Sequence, residues 1–134
     1  MDKIEHIGIA VKDLNAANHL YELLLGAAPY KQEVVESEGV TTSFFKTGES
    51  KIELLAANND ESPIAKFLEK KGEGIHHIAF NVKDIKAEMN RLQKEGFILL
   101  NEQPKKGADN KLVAFLHPKS SHGVLIELCQ DIRV

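Results

Sequence analysis

The chain has 134 residues, of which 43% are hydrophobic and 28% charged, with a net charge of -3 and one cysteine. That length buries a core without disulfides and that apolar content excludes disorder, so one soluble domain is expected. The scattered lysines give no basic patch for a run of phosphates, and no apolar run approaches the roughly 20 residues that span a bilayer, so neither nucleic acid nor membrane is an expected partner.

The opening residues Met1-Asp2-Lys3-Ile4-Glu5 lack the apolar segment of a signal peptide, and a reducing cytoplasm is the expected location. Ile7, Ile9 and Val11 then alternate with His6, Gly8 and Ala10, the period of a half-buried strand. Asp13 stands where an N-cap belongs, Leu14, Ala17, Tyr21 and Leu24 recur at helical spacing, and Gly26 stops that helix. Strand-like runs follow from Tyr30 to Val35, Val40 to Thr47 and Lys51 to Ala57, separated by Gly39 and by Gly48-Glu49-Ser50. The order is βαβββ. A short helix from about Ser62 to Lys71, opened by Ser62-Pro63 and closed by Gly72, takes one apolar side from Ile64, Phe67 and Leu68.

The order then repeats. At an offset of 71, the segment Ile4 to Ala16 matches Ile75 to Ala87 at Ile, His, Ile, Val, Lys, Asp and Ala. Asp84 is the second N-cap, Ile85, Met89 and Leu92 the second helical stripe, and Gly96 its stop. The closing strands are Lys111 to His117 and Gly123 to Cys129, with Pro118 to His122 as the turn between them. Cys129, in the run Val124 to Cys129, reads as a strand residue near the core. The expected architecture is α+β: a single domain of two tandem βαβββ modules, about 1–58 and about 74–134, joined by the helix at about 62–71.

Ile52-Glu53-Leu54 corresponds to Ile126-Glu127-Leu128, so each module supplies one histidine and one carboxylate, His6 with Glu53 and His77 with Glu127. By strand alternation Ile52 and Leu54 turn toward the helix while Glu53 projects from the concave face, and Glu127 does the same between Ile126 and Leu128. A carboxylate inside an apolar strand is costly to bury unless it is paired or binds a metal. Two imidazoles and two carboxylates cancel a divalent charge and suit Zn, Co, Ni, Mn or Fe, with open positions that imply catalysis. His19, His76, His117 and His122 read as structural or surface residues. Lys105, Lys106 and Lys119 read as solvated loop charges, with an anionic ligand tail as the sharper alternative.

These residues resemble the vicinal oxygen chelate (glyoxalase/bleomycin resistance/dioxygenase) superfamily over nearly the whole chain, which implies that the two modules form a cup-shaped mixed β-sheet around a metal site, with the helices on its outer face. Glu61 to Leu68, Gly74 to Phe80, and Phe115 to Lys119 with Gly123 to Leu128 are similar to the methylmalonyl-CoA epimerase family within it. The resemblance implies interconversion of (2R)- and (2S)-methylmalonyl-CoA by removal and return of the carbon-2 proton through a metal-stabilised enolate, with an acyl-CoA substrate and often a homodimer. Glu127 matches a family ligand implicated in proton transfer. Some bacterial members carry their second acid/base glutamate where this chain has Thr42, which is no base at neutral pH, and a glutamine ligand where it has Glu53. Glu53 is therefore the expected second catalytic carboxylate as well as a ligand. Lactoylglutathione lyase, which shares a His, Glu, His, Glu metal set, is the alternative enzyme. A non-enzymatic small-molecule or metal-binding module is the other alternative.

Overall fold

In the computed structural model, which describes residues 1–132, each helix begins at the capping residue that its sequence supplies. The Asp13 carboxylate accepts the Ala16 N–H at 3.1 Å and opens α1 (Leu14–Leu25), which Gly26 ends in a left-handed conformation at φ 77°. The Ser62 hydroxyl accepts the Ile64 N–H at 3.1 Å and opens α2 (Pro63–Lys71). The Asp84 carboxylate accepts the Ala87 N–H at 3.1 Å and opens α3 (Ile85–Lys94). These bonds satisfy N–H groups that the first turn of a helix leaves without a partner. α3 is capped at Glu95, one residue before the expected stop at Gly96. No helix among the described residues is long and apolar enough to cross a membrane.

The chain divides into two compact units, His6–His76 and Met1–Glu5 with His77–Val134. In the first unit, β1 (Lys3–Ala10) runs parallel to β4 (Ser50–Ala57). β4 pairs antiparallel with β3 (Val40–Thr47), and β3 pairs antiparallel with β2 (Lys31–Val35). The strand order is β2-β3-β4-β1. α1 packs Leu14, Ala17, Tyr21 and Leu25 on one face of these strands, against Ile9, Val11, Phe45, Ile52, Leu54 and Ala56. The expected Leu24 is instead 68% exposed. Leu25 lies about three full turns beyond Leu14 and returns to the buried stripe, whereas Leu24 falls short of it. α2 covers part of the opposite face, packing Ile64, Phe67 and Leu68 on Ala10, Val40 and Leu55.

In the second unit, β5 (Gly74–Asn81) runs parallel to β8 (Ile126–Asp131), and β8 pairs antiparallel with β7 (Lys111–Leu116). α3 packs Ile85, Met89 and Leu92 on Val82, Ala114, Leu116 and Leu128. β8 starts three residues later than the expected Gly123, because Pro118–Ser121 forms a 3-10 turn and His122 and Gly123, at φ 56° and 91°, complete the reversal. Lys105 and Lys106, read from sequence as loop residues, form a two-residue edge strand β6 (Lys105–Lys106) on Val113 and Leu112 of β7. The first residues of β1 are tied to this unit. The Asp2 N–H donates to Asn81 O at 3.2 Å, the Asn81 side-chain amide donates to the Asp2 carboxylate at 2.9 Å, and buried Glu5 pairs with Lys111 at 3.8 Å.

Candidate metal centre

In the first unit the parallel register sets Gly8 beside Glu53, and the antiparallel register sets Phe44 opposite it. Alternation turns Ile52 and Leu54 toward α1, so Glu53 stands on the other face with His6, Gly8 and Phe44. His6 Nε2 lies 3.2 Å from Glu53 Oε1, and each residue is only 4% exposed. The Phe44 ring meets the His6 ring edge-on, with centroids 6.4 Å apart at 82°.

The second unit builds the same arrangement from its own strands. Ala79 lies beside Glu127 and Phe115 opposite it. His77 Nε2 lies 3.3 Å from Glu127 Oε1, with 3% and 6% of the two residues exposed. The Phe115 ring meets His77 edge-on at 6.3 Å and 84°. Phe44 and Phe115 were not anticipated from sequence, yet they stand 71 residues apart, the same offset as His6 and His77.

The donor sets suit a divalent ion. Two donors about 2.1 Å from one ion, at angles between octahedral and tetrahedral, lie about 3.0–3.4 Å from each other. Both His–Glu pairs fall in that interval. A buried carboxylate also needs a counter-charge, and here each one faces an imidazole that offers a single ring nitrogen.

The remaining histidines have other contacts or none near these pairs. The His76 ring packs edge-on to Phe67 at 4.9 Å, and His117 Nδ1 accepts the Lys119 N–H at 3.0 Å, capping the 3-10 turn. His19 is exposed on α1, and His122 sits in the turn after Ser121. Cys129 is buried, with Sγ 3.5 Å from Phe80 O, as expected for a core strand residue. Lys106 and Lys119 are exposed, while the Lys105 ammonium lies 5.7 Å from the centre of the Phe115 ring.

A family model described as the Glyoxalase/Bleomycin resistance protein/Dioxygenase superfamily matches residues 5–115. The chain belongs to that superfamily. It is 45% identical over 130 residues to an ethylmalonyl-CoA/methylmalonyl-CoA epimerase of Cereibacter sphaeroides, covering 96% of this chain and 97% of that protein. The crystal structure of methylmalonyl-CoA epimerase from Mycobacterium tuberculosis superimposes with a TM-score of 0.92 at 36% identity, over 97% of this chain and 88% of that one. A variant of the Streptomyces coelicolor methylmalonyl-CoA epimerase in complex with 2-nitronate-propionyl-CoA gives 0.92 at 36% identity, over 98% of this chain and 96% of that one. The α+β fold expected from the repeat is the fold of these epimerases.

Proposed function

We propose that the protein is a methylmalonyl-CoA epimerase whose His6, Glu53, His77 and Glu127 hold a divalent ion, either Co, Ni, Zn, Mn or Fe. The observation that carries this reading is the duplicated, buried His–Glu pair in a chain that is 45% identical to an epimerase along nearly its whole length. The similarity to a solved epimerase in complex with an acyl-CoA analogue supports an acyl-CoA substrate.

When bound, the ion supplies Lewis acidity to the thioester and carboxylate oxygens, which lowers the barrier to loss of the carbon-2 proton. His6 and His77 stand beside Glu53 and Glu127, each with Nε2 toward its carboxylate. Glu127 and Glu53 each set one carboxylate oxygen beside an imidazole, at 3.3 and 3.2 Å. Glu127 removes the carbon-2 proton, and Glu53 returns one to the opposite face of the planar enolate. Two carboxylates from equivalent strands of two modules suit a two-base epimerisation, and Thr42 supplies no base. The phenyl rings of Phe44 and Phe115 stand edge-on to the two imidazoles and add apolar surface beside them.

The protein is further proposed to be cytoplasmic and to act as a homodimer, the pairing supported by Leu20, Leu23 and Leu24 of α1, which are 58%, 72% and 68% exposed. Sedimentation at micromolar concentration tests this, and a monomer would remove it. A second reading, lactoylglutathione lyase, is favoured by the carboxylate at Glu53, which completes a His, Glu, His, Glu set. The test of the main reading is metal content and epimerase rate before and after chelation. Loss of both, with recovery on adding back a divalent ion, is expected. Full activity in metal-free protein would refute it.

A further inference from the structure

We propose that the Thr42 hydroxyl is a substrate-positioning donor that hydrogen-bonds a carboxylate oxygen of the malonyl group, an inference that rests on the epimerase reading. Thr42 is 1% exposed, and its Oγ1 is buried with no hydrogen-bond partner among the described residues. It lies on the face of β3 that carries Phe44, opposite Leu55 and diagonal to Glu53 of β4. Glu33, opposite Thr42 on β2, pairs with Lys31 at 3.2 Å instead. Its neighbours on that face are apolar, Val40 two residues before it and Leu55 opposite it, and these pack with Ala10 and with Ile64 of α2.

A buried hydroxyl without a partner destabilises the fold, so its presence calls for a reason other than packing. The second module shows that packing does not demand it. There Phe115 lies opposite Glu127 as Phe44 lies opposite Glu53, and the residue two positions before Phe115 is Val113, 71 residues after Thr42. Val113 has the shape of threonine without the hydroxyl and packs with Ala79 and Cys129. At the equivalent place in the first module the chain carries an oxygen, diagonal across the strand pair from the proposed metal ligand Glu53. A hydroxyl donating to an anionic oxygen makes one of the stronger hydrogen bonds, and more so in an apolar surround. The carboxylate of the malonyl group is the anion that this reaction brings to that face.

The test compares wild type, Thr42→Val and Thr42→Ser, each loaded with the same divalent ion. The readouts are calorimetric binding of malonyl-CoA and of propionyl-CoA, which lacks the free carboxylate, together with carbon-2 deuterium exchange in methylmalonyl-CoA. Thr42→Val is expected to keep its metal content and to melt at or above the wild-type temperature. It should bind malonyl-CoA roughly 10-fold to 100-fold more weakly while propionyl-CoA binding is unchanged. Thr42→Ser should restore malonyl-CoA binding. Wild-type malonyl-CoA binding in Thr42→Val overturns the inference, as does equal weakening toward both thioesters. Failure of Thr42→Val to fold also overturns it, because the hydroxyl would then serve the fold. If wild type exchanges no carbon-2 proton and does not prefer malonyl-CoA, the epimerase reading itself fails and takes the inference with it.

Discussion

Replacing Glu53 with glutamine separates its two proposed roles. Glu53 is 4% exposed, with one oxygen 3.2 Å from His6 Nε2, and glutamine fills the same volume and keeps an oxygen to offer a metal. The substitution removes the negative charge and, with it, the ability to take and return a proton. A positioned general base contributes ~100-fold to ~10,000-fold, which is about 2.7–5.5 kcal/mol of barrier. Glu53→Gln is therefore expected to lower kcat by that range with little change in KM, while its metal content by mass spectrometry stays at the wild-type value. The assay is the initial rate of (2R) to (2S) conversion at saturating metal, with circular dichroism as the check on folding. A metal-loaded variant that turns over at the wild-type rate would refute the base assignment and leave Glu53 as a ligand alone.

Three further outcomes are expected. Leu54 is fully buried beneath α1 with Val11, Phe45 and Ala56, and Leu54→Ala should cost about 2–5 kcal/mol, read as a lower urea midpoint; a loss under about 1 kcal/mol would mean the helix is not anchored there. A divalent ion at about 100 times its Kd should stabilise the folded protein by about 2.7 kcal/mol, and chelation should reverse this; identical melting with and without chelator would contradict a buried metal site. Arg91 donates to both Glu88 oxygens, at 3.2 and 3.0 Å, and holds that carboxyl below its usual range. A depressed folded-state pKa stabilises above the ordinary carboxylate range and is lost as pH falls through the folded value. Solvent screening keeps the effect small at this exposed pair, and Arg91→Ala should move the Glu88 titration, followed by NMR, back up; an unchanged titration would exclude Arg91 as the cause.

The helix starts and the facing of Glu53 were readable from sequence because both depend on short-range rules. Asp13 and Asp84 precede apolar stripes, and one residue of alternation separates Glu53 from the helix-facing Ile52 and Leu54. Pairing information was not local. That His6 meets Glu53 within one unit and His77 meets Glu127 within the other follows from two parallel registers, β1 on β4 and β5 on β8, which no single segment encodes. Phe44 and Phe115 escaped notice for the same reason, since each is placed by an antiparallel partner strand. β6 is two residues long, too short for alternation to register, and it exists only because Val113 and Leu112 lie alongside. The late start of β8 reflects left-handed backbone at His122, which residue type alone does not announce. The unpaired hydroxyl of Thr42 likewise emerges only when its neighbours on three strands are known.

The central claim is that the paired His–Glu sites move the carbon-2 proton of an acyl-CoA. The most direct measurement incubates metal-loaded protein in deuterated water with (2R)-methylmalonyl-CoA, and in parallel with the hemithioacetal of methylglyoxal and glutathione, following carbon-2 deuterium and lactoylglutathione by mass spectrometry. Deuterium at carbon 2 of the acyl-CoA, with no turnover of the hemithioacetal, is the expected result. Turnover of the hemithioacetal alone would contradict the epimerase account while leaving the metal centre in place.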